Sequence, residues 1–209
     1  MQRTLRTLAA VFAVVLVSGI LSLAPLPGRR GCVVSAIATT LGDDGPKSRG
    51  TAPRPTDVDP RVTFDALLAP GDDATRFDAR RAVEVEAWVT GVHVGGWEGV
   101  NCFALDAAHR DTHIDLARTP DAPDTARVIA EVTPRWRDAM RARGVDWSTE
   151  SLRAALVGRR VRVRGWLYFD AHHATGAMHG DPADVRGERN WRATAWEIHP
   201  ATGIEVVRP

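Results

Sequence analysis

Asp111, His113 and Asp115 stand at every second position, so on an extended strand their side chains share one face. Imidazole beside carboxylates is a donor set for zinc, iron or manganese, and an ion of that kind activates water for hydrolysis. Two more histidines, His172 and His173, come directly after Asp170 and Ala171, and Glu197 and His199 share a face further on. The metal set expected from these spacings is Asp111, His113, Asp115, His172 and His199, holding a divalent ion. Their spacing matches no zinc signature, and alternation along one strand does not by itself establish convergence.

A second pattern lies in the stretch 159–170, RRVRVRGWLYFD. Val161, Val163, Gly165, Leu167 and Phe169 take one face and Arg160, Arg162, Arg164, Trp166 and Tyr168 the other. Arginines beside aromatic rings suit a ligand surface, and single-stranded nucleic acid is one class that uses them. Arg162, Arg164, Trp166 and Tyr168, together with Glu197, are the candidate ligand-binding residues. Pairing of the arginines with acidic side chains on a solvated strand is the competing account. Trp88 and Trp97 flank a glycine-rich turn and could line a groove for a sugar ring. Cys102 has no Cys-x-x-Cys partner and reads as a structural thiol. Nucleophile elbow, phosphate loop, dinucleotide fingerprint and His-Glu-x-x-His patterns are all missing from the sequence, so no catalytic residue is assigned.

Strands and helices have to position these groups. In VEVEAWVTGVHV (83–94), Val83, Val85, Ala87 and Val89 alternate with Glu84, Glu86, Trp88 and Thr90, and Gly91 permits a bulge. Short strands are expected at 111–116 and 127–133. Thr133-Pro134 is a helix start, with a capping hydroxyl before a proline at the first helical position. A second helix is expected over 148–156, then the long strand 159–170 and a last pair at 191–199 and 203–207. Three strands, a helical connection and further strands give the order of a five-stranded OB-like barrel, mainly β, with the helices between the third and fourth strands.

The motifs DTHIDL (111–116), EVTPRW (131–136), GWLYFD (165–170) and WEIHP (196–200) resemble those of a group of small, uncharacterised bacterial exported or membrane-anchored proteins of OB-like fold. The resemblance spans roughly residues 80–207. It implies the fold and carries no activity or catalytic residue across.

Composition sets the address and the partners. Arg3 and Arg6 precede an uncharged run, 8–27, long enough to cross a bilayer, although Pro25 and Pro27 cut its helix short. Residues 1–38 are therefore expected to be a signal peptide or membrane anchor, 39–60 a proline-rich flexible linker, and 61–209 the folded domain. On this reading the chain is membrane-anchored, facing the periplasm or exterior, or secreted, and residues 8–27 make the membrane its partner. The net charge of +1 becomes −3 once the four arginines before residue 38 are set aside, which argues against a nucleic-acid partner held by phosphate neutralisation. The expected function is an extracytoplasmic OB-like module binding a small ligand or an envelope protein. The alternative is a metal-dependent hydrolase such as a phosphodiesterase or nuclease.

Overall fold

The alternation of Val83, Val85, Ala87 and Val89 builds β1 (Ala82–Val94), with those four side chains in the core and Glu84, Glu86 and Trp88 between them. The register against the next strand shifts between Val89 and Gly91. This bulge returns Val92 to the core after the parity change, as the glycine at that point anticipates. The computed structural model describes residues 45–101, 104–178 and 190–208. Within them lie four more strands: β2 (Thr112–Ala117), β3 (Val128–Val132), β4 (Arg160–Phe169) and β5 (Trp196–Val206). They close into a barrel in the order β1-β2-β3-β5-β4. Every pairing is antiparallel except β3 with β5. Closure leaves no long sheet edge to pair with another chain.

Between β3 and β4 stand α2 (Pro134–Arg141) and α3 (Thr149–Leu156), after the single-turn α1 (Phe64–Leu68) that precedes the barrel. The Thr133 hydroxyl accepts from Trp136 N, and the Ser148 hydroxyl from Ser151 N, so each helix begins at a side-chain cap. After α3, Gly158 takes φ +75°, the left-handed geometry that turns the chain into β4. Trp136, Trp147, Leu152 and Leu156 join the barrel's apolar core, which explains the helical insertion: it buries what five short strands alone would leave wet. The mainly β, five-stranded OB-like barrel with a helical connection is the fold observed. The expected last pair of strands is instead one strand, and residues 191–195 precede it as an irregular segment.

The chain divides into two compact units, and the barrel with residues 45–96 is the larger. In the described part of the smaller, 97–109, Trp97 Nε1 donates to Ala104 O at 2.8 Å and Asp106 faces His109 at 3.1 Å. Residues 45–60, linker-like in composition, lie against the barrel. Arg49 stacks 4.7 Å from the Trp166 ring, Trp166 Nε1 donates to Thr51 O, and Trp136 Nε1 donates to Arg49 O.

The membrane expectations are corrected here. Among the described residues no helix is long and apolar enough to cross a membrane. The longest, α2 and α3, have eight residues each, about 12 Å of rise against the ~30 Å of a bilayer core. The run 8–27, on which the transmembrane helix, the membrane partner and the anchored location all rested, lies outside the described residues.

Candidate metal centre

The pleat that sends Ile114, Leu116, Val128, Ala130 and Ile198 inward puts the residues between them on the outer face of β2, β3 and β5. There stand Asp111, His113, Asp115, Glu131, Glu197 and His199. The cross-strand register aligns them. His93 pairs with His113, and His113 pairs with Glu131. Parallel pairing of Ile129 with Glu197 and Ala130 with Ile198 carries Glu131 alongside His199. One rung of the sheet thus runs His93, His113, Glu131, His199 over four strands.

Although on the outer face, the centre of this rung is sealed: Asp111 and Glu131 are 1% exposed and His199 is 0%. Glu131 Oε1 lies 2.8 Å from His113 Nε2, and Oε2 lies 2.9 Å from His199 Nδ1. His199 Nδ1 makes its hydrogen bond with Glu197 Oε2 at 3.3 Å, so the nearer Glu131 oxygen is an ion-pair partner off the N–H direction. On the other side of the ring, Nε2 stands 3.5 Å from Asp111 Oδ2 and makes no hydrogen bond. One donor atom each from Asp111, Glu131 and His199 falls within 4.8 Å of the others, close enough to hold a metal ion.

Electrostatics follow from burial and crowding. Burial pushes the Glu131 carboxyl up, but the charges of His113 and His199 overcome it and hold the group well below its usual range. Burial lowers His199, and the facing charge of Glu131, with the contacts to Glu197 and Asp111, reverses this and holds the ring protonated well above the ordinary histidine value. Glu197 is raised, first by burial and then by the negative charge of Glu131. The cation position between the carboxylates is therefore filled by an imidazolium. A metal ion held by His199 would take the place of that ring proton.

The surrounding elements fix these groups. Arg137 on α2 donates to Thr112 Oγ1 at 2.7 Å and to Arg110 O at 2.5 Å, clamping the start of β2 on either side of Asp111. Arg192, wholly buried, donates to Glu197 Oε1 at 2.6 Å and to Thr194 O at 2.9 Å. Its segment is pinned by Asp73, which accepts from Thr194 Oγ1 and Ala195 N. Gly91 and Gly95 leave space for Asp115 and His113. A Cβ at these positions would come within 2.5 Å of Asp115 Oδ2 and 2.8 Å of His113 Nε2.

Of the expected metal set, Asp111 and His199 come together, and His113 reaches them through Glu131. Asp115 turns instead toward Arg127, at 3.4 Å, and His93, at 3.8 Å. His172 is exposed on the 3-10 turn Ala171–Gly176 and belongs to no close group of three metal donors among the described residues. Its neighbour His173 pairs with Asp170 at 2.5 Å. Sequence reasoning missed Glu131. Its signal was a lone carboxylate in the apolar strand VIAEV, a residue type seldom buried without a partner.

The ligand-binding set divides. Arg162 pairs with Glu86 at 2.6 Å, and Arg164 pairs with Glu84. Both contacts follow from the β1–β4 register. Surface pairs of this kind, screened by solvent, contribute little to stability. The two arginines, with Glu84, Glu205, Thr202 and Pro53, border a groove of about 310 Å³. Trp166 is covered by Arg49 and bonded to Thr51, so the stripe is occupied by the chain itself. Tyr168 and Glu197 are buried neighbours across β4 and β5 and belong to the polar centre, with the Tyr168 ring 5.7 Å from His199.

At the edge of the centre, the Asp170–His173 pair carries a pH-dependent contribution to stability. Burial raises Asp170, and the hydrogen bond and charge of His173, with Lys47 and Arg192, bring it below its usual 3.8. The Asp170 hydrogen bond raises His173 above 6.5. The lowered carboxyl contributes above pH 3.8 and loses its effect as pH falls through its folded value. The raised imidazole contributes fully below pH 6.5 and loses its effect as pH rises through its own. The melting-temperature gap between wild type and His173→Ala is thus expected to be widest between pH 3.8 and 6.5 and to narrow on either side. It should correspond to no more than about 1 kcal/mol, because His173 is half exposed and solvent screens the pair. A gap that does not vary with pH would contradict the pairing.

Compared with family models, with curated proteins and with solved structures, the chain matches none.

Proposed function

We propose that this protein is a metal-dependent hydrolase built on an OB-like barrel, with a divalent ion held by Asp111, Glu131 and His199. The observation that carries the reading is the convergence within 4.8 Å of three donor atoms, from β3, from β5 and from the residue that leads into β2. Metal–ligand bonds near ~2.1 Å place neighbouring ligands about 3.0–3.5 Å apart. The separation of His199 Nε2 from Asp111 Oδ2, 3.5 Å, is of that size, and a Glu131 oxygen lies within 4.8 Å of the other two donor atoms. Two carboxylates and one imidazole suit zinc, manganese or iron(II), and three protein ligands leave coordination positions for water. A bound ion would lower the pKa of such a water and supply the nucleophile. Glu197, hydrogen-bonded to His199 Nδ1 and held by Arg192, fixes the imidazole so that Nε2 faces Asp111, an outer-shell role of the kind a histidine ligand uses. The negative charge gathered in this low-dielectric site favours a cation over an anion as its occupant.

Metal-free protein titrated with zinc or manganese is expected to take up one ion per chain. At a hundred times the dissociation constant, binding should stabilise the fold by about 2.7 kcal/mol. Asp111→Asn should lose most of this stabilisation. The loaded protein should hydrolyse an activated phosphodiester such as bis(p-nitrophenyl) phosphate, and Asp111→Asn should not. Absence of stoichiometric binding would remove the metal centre. Binding without hydrolysis of phosphate or carboxylate esters would leave a metal-binding barrel and remove the enzyme.

A further inference from the structure

A centre whose three ligands are at most 1% exposed needs a path along which an ion can reach it. On one side that path is closed. Behind His199 stand Glu197 and Arg192, and Arg192 is a permanent guanidinium cation with no solvent exposure, which repels a divalent ion. The opposite side runs along the rung into β2 and β1, where the groups are metal donors.

We infer that His93, Asp115 and His113 form the way in, a file of exchangeable donor atoms that passes a divalent cation from solvent to Glu131. The inference rests on the metal-centre reading above and adds a path to it. His93 is the outer station: its side chain is 50% exposed, and its Nδ1 lies 3.8 Å from Asp115 Oδ2. The His93 and His113 rings are 5.3 Å apart at their centroids. His113 Nε2 is 2.8 Å from Glu131 Oε1, and the other Glu131 oxygen faces His199. Since each metal–donor bond is about 2 Å long, donors up to ~4 Å apart can share an ion. The His93–Asp115 and His113–Glu131 pairs meet this distance, and the neighbouring His93 and His113 rings span the step between them.

Two features keep this file usable. Arg127 stands 3.4 Å from Asp115, beyond a strong hydrogen bond, so the carboxylate is not locked in a bidentate pair. Gly91 on β1 and Gly95 just after it border the file. Any side chain there would press on Asp115 and His113, displacing the donors themselves. Burial also lowers the pKa of His93, with Asp115, His113, Glu131 and Arg153 as its charged neighbours, which favours the neutral ring that can ligate.

The test separates rate from affinity. Full-length metal-free protein is mixed with zinc or cobalt(II) in a stopped-flow instrument, and release is followed into excess chelator. For His93→Ala, uptake and release are both expected to slow by about tenfold, equivalent to about 1.4 kcal/mol on the barrier, with the dissociation constant unchanged. His172→Ala, which removes an exposed imidazole outside the file, should load at the wild-type rate. Wild-type rates in His93→Ala would overturn the route and leave the centre standing. A weakened dissociation constant with an unchanged uptake rate would make His93 a ligand and also overturn it. If the wild-type protein binds no ion, the centre fails, and the route with it.

Discussion

Glu131→Gln is expected to destabilise the protein by about 3–5 kcal/mol and to abolish metal binding. The carboxylate is 1% exposed and faces two imidazoles, His113 at 2.8 Å and His199 at 2.9 Å. It is the only group the rung places between them, and its ionised form is what holds His199 protonated inside the fold. An amide of the same shape keeps the packing and removes the charge. His199 must then either stay charged between Glu197 and Asp111 with less compensation, or give up its proton at a cost. Either response lowers stability. Urea unfolding of wild type and variant measures the difference, and an unchanged slope against denaturant would show that the native and denatured states keep their compactness. A loss below about 1 kcal/mol would mean that the Glu131 charge is not central to the network.

Gly165→Ala should cost at least about 3 kcal/mol, or prevent folding, by forcing β4 and β5 apart. A Cβ on Gly165 would lie 2.5 Å from Ile198 Cγ2, 2.5 Å from Pro200 O and 2.9 Å from Ala201 Cα. Two of these three atoms belong to the backbone of β5, so no rotamer change relieves the clash. The register between the strands shifts on both sides of Gly165 as they make this approach. Movement of Ile198 and Pro200 would also drag His199, which lies between them, so metal affinity should fall with stability. Gly203→Ala is the control. Its Cβ would meet only Arg164 Cβ, at an ordinary 3.8 Å, and a change within about 0.5 kcal/mol is expected. Equal stability of the two variants would contradict the close packing of β4 on β5.

Much of the barrel was legible in local patterns because those patterns are local physics. The period-two burial of β1 and β4, the bulge at Gly91 and the capped helices after Thr133 and Ser148 depend on residues within a few positions of one another. The boundary of β5 was less legible. Trp191, Arg192 and Ala193 have strand-like neighbours, but Thr194 and Ala195 bond to Asp73 and so leave the ladder. Asp73 is more than a hundred residues earlier, and no window of sequence holds both ends of that contact.

The polar centre divides the same way. Alternation of Asp111, His113 and Asp115, and of Glu197 and His199, follows from strand geometry and could be read directly. Which of these groups meet depends on register across β1, β2, β3 and β5, and above all on the parallel pairing that puts Glu131 beside His199. His172, two residues past Asp170, was a reasonable ligand by type, yet the 3-10 turn leaves it exposed and turns His173 to Asp170 instead. The arginine stripe was likewise correct as a face and open as a role until β1 supplied Glu84 and Glu86 opposite it. Period and propensity thus settled the strands, the helical insertion and the side of the sheet on which each donor stands. Long-range pairing selected Asp111, Glu131 and His199 as the groups that converge, because a register of one residue decides whether facing side chains touch.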